Sequence, residues 1–115
     1  MDSRLLWGTV EMLILEVVSH GFSYGYEISQ TVSGRSQGYF DLKEGSLYPA
    51  LHRLERQKLL SSYWQEADGR RRKYYKLTAT GRKTLEAKKA EWQEFAAGVQ
   101  GVLGVSNPRS AYGMA

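Results

Sequence analysis

Between Leu5 and His20 apolar residues recur at helical spacing, and they exceed a single stripe. Leu6, Val10, Leu13 and Val17 make one face, while Leu5, Met12 and Leu15 spread onto a second. A small domain cannot bury both faces of one helix, so a partner chain is expected to cover the second. Gly8 lies near that face, where a missing side chain lets another backbone approach. Asp2 or Ser3 can cap the start, and Gly21 stands where a left-handed C-terminal cap belongs. Ser23 precedes a shorter helix, Tyr24 to about Val32, anchored by Ile28 and Val32 and stopped near Gly34. After a connection over 34–43, a third helix runs from about Gly45 to Lys58. On it Leu47, Ala50, Leu51 and Leu54 share one side; Gly45, Pro49, His52 and Arg56 point the other way, flanked by Ser46 and Arg53.

The period then changes from helical to two. In "LLSSYWQEADGRRRKYYKL" (59–77) two alternating runs flank Asp68-Gly69, a pair that favours the type I′ turn of a tight hairpin. If those residues form the loop, Leu60 faces Leu77, Ser62 faces Tyr75, Tyr63 faces Tyr74 and Glu66 faces Arg71. Leucine opposes leucine beside the core, and charge opposes charge at the tip. Thr78 is a plausible cap for a final helix reaching about Leu103, on which Leu85, Trp92 and Val99 recur every seven residues. Phe95 and Val102, with Ala96 and Leu103, widen its stripe, and Gly98, Gly101 and Gly104 weaken its end.

The expected fold is therefore mainly α with a small β-hairpin: a winged helix-turn-helix followed by a long C-terminal dimerisation helix. The expected boundaries are 1–78 for the winged domain, 79–104 for the helix and 105–115 for a disordered tail. Leu5, Met12, Leu85, Trp92, Phe95, Ala96, Val99 and Val102 are the expected homodimer contacts.

Charge narrows the partner. The formal net charge is +4 and the pI about 9.4, which points toward polyanions. With no cysteine there is neither a disulfide framework nor a thiolate metal site. The first apolar stretch is broken by Glu11 and Glu16 too soon for a membrane span, and the start lacks the features of a signal peptide. A cytoplasmic protein that engages no membrane is expected. His20 and His52 have no cysteine partner, and no Ser-His-Asp or paired-carboxylate constellation stands out, so neither an enzyme nor a metal sensor is expected, and no cofactor. His20 ends the first helix, where an imidazolium suits the dipole.

Residues 70–76, Arg-Arg-Arg-Lys-Tyr-Tyr-Lys, hold five cations and no anion. Basic residues on an exposed edge also discourage aggregation, but three successive arginines beside a tight turn suit a phosphate backbone or a minor groove better. The third helix supports this. Gly45 and Ser46 leave room for close approach to a major groove, and Pro49 is tolerable near a helix start. Arg53 and Arg56 can reach guanine or phosphate, and His52 and Tyr48 can donate to either. The alternative is a winged helix used as a protein-interaction module, its basic wing binding an acidic partner.

The stretches "EGSLYPALHRLERQKLL" (44–60), "GRRRKYYKLTATGRKTL" (69–85) and "YGYEI" (24–28) resemble the phenolic-acid-decarboxylase regulator (PadR) family of bacterial transcription factors. The resemblance covers about residues 5–100, and its Leu-Tyr-Pro-Ala-Leu core followed by Arg-Leu-Glu is far more specific than a generic helix-turn-helix pattern. Multiple-antibiotic-resistance regulators are disfavoured by chain length and by that motif. The resemblance implies a dimeric repressor on a pseudo-palindromic operator in double-stranded DNA, released by a small molecule or a stress signal. It implies Ser46, Tyr48, Pro49, His52 and Arg53 in or beside the major groove, Tyr24 and Tyr26 at the backbone, and Arg70, Arg71 and Lys73 as wing contacts. It also implies that Trp92 and Phe95, with Met12 and Leu15, could line a site for a small aromatic effector. The simpler reading of Trp92 is interface core, since no polar group is clearly placed to orient a ligand.

Overall fold

The computed structural model describes the backbone of residues 3–105 and the side chains of residues 8–105. Its elements are α1 (Ser3–Ser19), β1 (Ser23–Tyr24), α2 (Gly25–Arg35), α3 (Glu44–Arg56), β2 (Leu60–Ala67), β3 (Arg70–Leu77) and α4 (Ala79–Leu103). They fall into two compact units, Met1–Leu85 and Glu86–Ala115. The first therefore takes in the opening turns of α4, which were expected to belong with the dimerisation helix.

In the first unit α1 turns Val10, Ile14, Leu15 and Val18 inward, and α3 adds Leu47, Ala50, Leu51 and Leu54. Ile28, Leu59, Leu60, Tyr75 and Leu85 complete the core. Leu15, expected on an outward second face of α1, is 0% exposed in this core, and Met12 packs against it from the side. The inward stripe follows Val10 and Ile14 rather than Leu13 and Val17, which are half-buried. Leu85, expected at the dimer contact, is 1% exposed in the same core. Both corrections have one cause: these leucines meet apolar side chains of their own chain first. Leu5 and the tail over 106–115 lie outside the described side chains.

The hairpin has the expected register, Leu60 opposite Leu77, Tyr63 opposite Tyr74 and Glu66 opposite Arg71. Asp68 and Gly69 both take positive φ, 54° and 73°, as a type I′ turn requires. A third strand joins it. β1 pairs antiparallel with β3, Ser23 opposite Tyr75 and Tyr24 opposite Tyr74, giving the order β1-β3-β2.

Two of the helices end in left-handed closures. α2 runs past Gly34 because its stop lies further on: Gln37 N–H bonds to Gly34 O at 3.2 Å and Gly38 N–H to Ser33 O at 2.8 Å, with Gln37 at φ 55°. α3 ends the same way, Lys58 N–H on Glu55 O and Leu59 N–H on Leu54 O, both 2.9 Å, with Lys58 at φ 62°. These are Schellman closures with a non-glycine residue in the left-handed position. Thr78 caps α4 as expected: its Oγ1 accepts the Gly81 N–H at 2.9 Å and donates to Lys58 O at 2.7 Å. A Cβ on Gly81 would sit 2.1 Å from the Leu59 carbonyl oxygen, so only glycine lets α4 start this close to the hairpin stem.

In the second unit α4 continues with no buried residue after Leu85 among the described ones. Trp92 and Phe95 stand 45% and 53% exposed with their rings 5.9 Å apart, and Val99 and Val102 extend the apolar stripe.

Candidate nucleic-acid interface

α3 presents two unlike sides. The buried side anchors it. The other leaves Gly45, Tyr48, Pro49 and His52 exposed and Ser46 half-buried, with Arg56 open near its end. Pro49 falls in the second turn, inside α3 rather than at its start, so it withholds the N–H that would bond to the Gly45 carbonyl. Tyr48 leans across the start of α2, where a Cβ on Gly25 would lie 2.8 Å from its hydroxyl oxygen. Gly25 therefore makes the room in which Tyr48 is held.

Between α3 and the hairpin lies an open concavity of about 430 Å³, lined by Tyr24, Tyr48, His52, Trp64, Arg71 and Arg72 among others, with no carboxylate in its lining. By the strand period Trp64, Arg71, Lys73 and Tyr75 share the face toward α3, and Arg72, Tyr74 and Tyr24 share the other; residues of both faces line the concavity. The Arg71 guanidinium lies over the Trp64 ring at 5.0 Å, and that of Arg72 over Tyr24 at 4.4 Å. Stacking on a ring holds an arginine in place without neutralising it. Such a cluster can engage phosphates and base edges together.

Of the residues expected at this site, Tyr24, Tyr48, His52, Arg71 and Lys73 line the one concavity. Ser46 and Pro49 sit on the open side of α3, and Arg70 is exposed beside the turn. Tyr26 is exposed but faces a different hollow, with His20 and Gln30. Arg53 and Lys73 are engaged within the protein. Arg53 Nε lies 3.1 Å from Glu11 Oε1, and Lys73 Nζ lies 3.2 Å from Glu55 Oε1. The Ser62 hydroxyl donates to the other oxygen of Glu55. That hydrogen bond, against partial burial and with help from Lys73, holds the Glu55 carboxyl below the usual range. Partial burial works against the Lys73 ammonium, but the Glu55 carboxylate and the Tyr75 oxygen together outweigh it and raise its pKa.

Trp64 and Arg72 were not singled out from sequence. The hairpin register alone puts Trp64 opposite Lys73, and that signal could have found it. Gly25 carried no signal, because its role depends on a contact between two helices. Of the residues expected to line an effector site, Leu15 is enclosed in the core of the first unit. Among the described residues no group of three or more His, Cys, Asp or Glu could hold a metal ion.

A profile described as the Transcriptional regulator PadR-like family matches residues 14–87. The protein named Transcriptional regulator Rv3488 from Mycobacterium tuberculosis is 36% identical over 92 residues, spanning 80% of this chain and 83% of that protein. A PadR family transcription regulator from Clostridium difficile has a solved structure that is 40% identical, with a TM-score of 0.69 over 82% of this chain and 96% of that one. A PadR-like transcriptional regulator from Bacillus cereus is 32% identical, with a TM-score of 0.77 over 90% and 99%.

Proposed function

The chain belongs to the PadR-like family of transcriptional regulators, and on that premise we propose that it is a homodimeric, cytoplasmic repressor that binds a pseudo-palindromic operator. The observation that carries this reading is the convergence of Tyr48, His52, Arg71 and Arg72 on one open, acid-free concavity between α3 and the wing. α3 enters the major groove with Ser46, Tyr48, Pro49 and His52, while Arg70, Arg71 and Arg72 follow the adjacent backbone or minor groove. Tyr24 and Tyr26 touch phosphates or sugars. An acidic protein partner for the same wing is the weaker reading, because the family is one of transcriptional regulators. Among the described residues no helix is long and apolar enough to cross a membrane.

The exposed stripe of Trp92, Phe95, Val99 and Val102, with Ala96 half-buried beside it, supports pairing with a second copy. Pairing would set two copies of α3 at successive major grooves, about 34–36 Å apart. A small aromatic effector taken up between Trp92 and Phe95 of the two copies would release the operator by favouring another spacing.

The test is selection of duplexes by the protein from a random pool, followed by fluorescence anisotropy on the winner across a salt series. Binding should weaken by about 10³–10⁵ between 50 and 200 mM salt if roughly six to ten phosphates are contacted. A protein that enriches no sequence and binds no duplex at low salt is not a DNA-binding regulator.

A further inference from the structure

We propose that Arg53 and Lys73 are positioning residues that brace α3 from two sides, against α1 and against the wing, and that neither delivers its charge to DNA. The proposal rests on the DNA-binding reading above and reassigns two cations that a sequence pattern counts as contacts.

The geometry differs sharply between these two and their neighbours. Arg53 reaches across 42 positions of sequence to Glu11, whose side chain is the more buried of the pair. Lys73 and Glu55 are 28% and 32% exposed, and the Glu55 carboxylate is used on both oxygens. Lys73 on β3 takes one and Ser62 on β2 the other, so one carboxylate of α3 ties down both strands of the wing. Lys73 also lies 5.4 Å from the centre of the buried Tyr75 ring, which holds it over the sheet. Arg71 and Arg72 lie over Trp64 and Tyr24, rings that leave a positive charge intact.

This distinction has a thermodynamic signature. A cation that neutralises a phosphate on binding releases a counterion, and removing it lowers the slope of log K against log salt by about 0.9. A cation already matched by a carboxylate releases none, and removing it weakens binding only by loosening the helix or the wing. Position matters because α3 and the wing must meet their grooves at the same time.

The experiment compares salt slopes on the selected duplex for Arg71→Gln, Lys73→Gln, Arg53→Gln and the wild type. Arg71→Gln should lose about 0.9 of slope, whereas Lys73→Gln and Arg53→Gln should weaken binding about tenfold or less with the slope unchanged. Lys73→Arg should restore the affinity. The double variant Glu55→Gln/Lys73→Gln leaves no charge unpaired, so it keeps the comparison available should a single variant unfold. It should bind no more weakly than the worse single. A slope loss at Lys73→Gln or Arg53→Gln as large as at Arg71→Gln overturns the proposal. If the wild type selects no duplex, the regulator reading fails instead, and bracing is then decided by stability. Double-mutant cycles for Glu55 with Lys73 and for Glu11 with Arg53 should be non-additive, and additive cycles would end it.

Discussion

The two compact units of this chain treat their apolar residues in opposite ways. In Met1–Leu85 the leucines and valines of α1, α3 and the hairpin stem close on one another. In Glu86–Ala115 no described residue is buried, although Trp92, Phe95, Val99 and Val102 make as continuous a stripe as any in the core. One region finishes its own folding; the other leaves an apolar stripe exposed. α4 belongs to both, and Leu85 and Trp92, one heptad apart, lie on either side of the change.

The comparison can be tested from its strongest consequence down. Leu54→Ala, in the closed core, should cost about 2–5 kcal/mol by denaturant unfolding, since the truncated site cannot refill. Trp92→Ala should leave the unfolding of the dilute monomer almost unchanged yet weaken self-association by about 2 kcal/mol or more, read by sedimentation. A wild-type chain that sediments as a monomer at every concentration would break the comparison, because the stripe would then need no second copy. Lys58→Gly, at the left-handed closure of α3, should stabilise the first unit by about 1 kcal/mol.

The smallest effect concerns pH. The Glu55 pKa is lowered in the folded protein, so its contribution is present above the ordinary carboxylate range and is lost as pH falls through the lowered value. Lys73 is raised, so its contribution holds below the ordinary lysine range and fades only as pH rises through the raised value. The contribution of this pair should be flat through neutrality. Glu55→Gln should remove part of the acid limb, by less than about 1 kcal/mol for a pair this open to solvent.

Legibility in the sequence followed the same division between what is local and what is not. The hairpin could be read to the residue because Asp68-Gly69 fixes the turn and the period of two fixes everything on either side. Thr78 as the α4 cap was equally local. β1 was missed, since a two-residue strand has no period of its own and exists only by pairing with β3. In α1 the pattern and the structure differ by a rotation: its residues are apolar on so many sides that the wheel leaves the inward face undetermined, and packing chooses Ile14 and Leu15. The heptad pattern points Leu85 outward because it does not say where one partner ends and another begins. The charges at Arg53 and Lys73 were visible, but the carboxylates that occupy them lie on other elements.

The sidedness of α3 has a practical meaning for anyone redesigning the molecule. Leu47, Ala50, Leu51 and Leu54 hold the helix in place without reaching its open side, and a Cβ at Gly45 would meet nothing within 4 Å. Gly45, Pro49 and His52 are therefore an alphabet that can be respelled while the grammar of the fold stays fixed. A combinatorial library at those three positions, screened against shuffled half-sites, should yield many folded variants with altered targets. A library of the same size at the four buried positions should yield almost none.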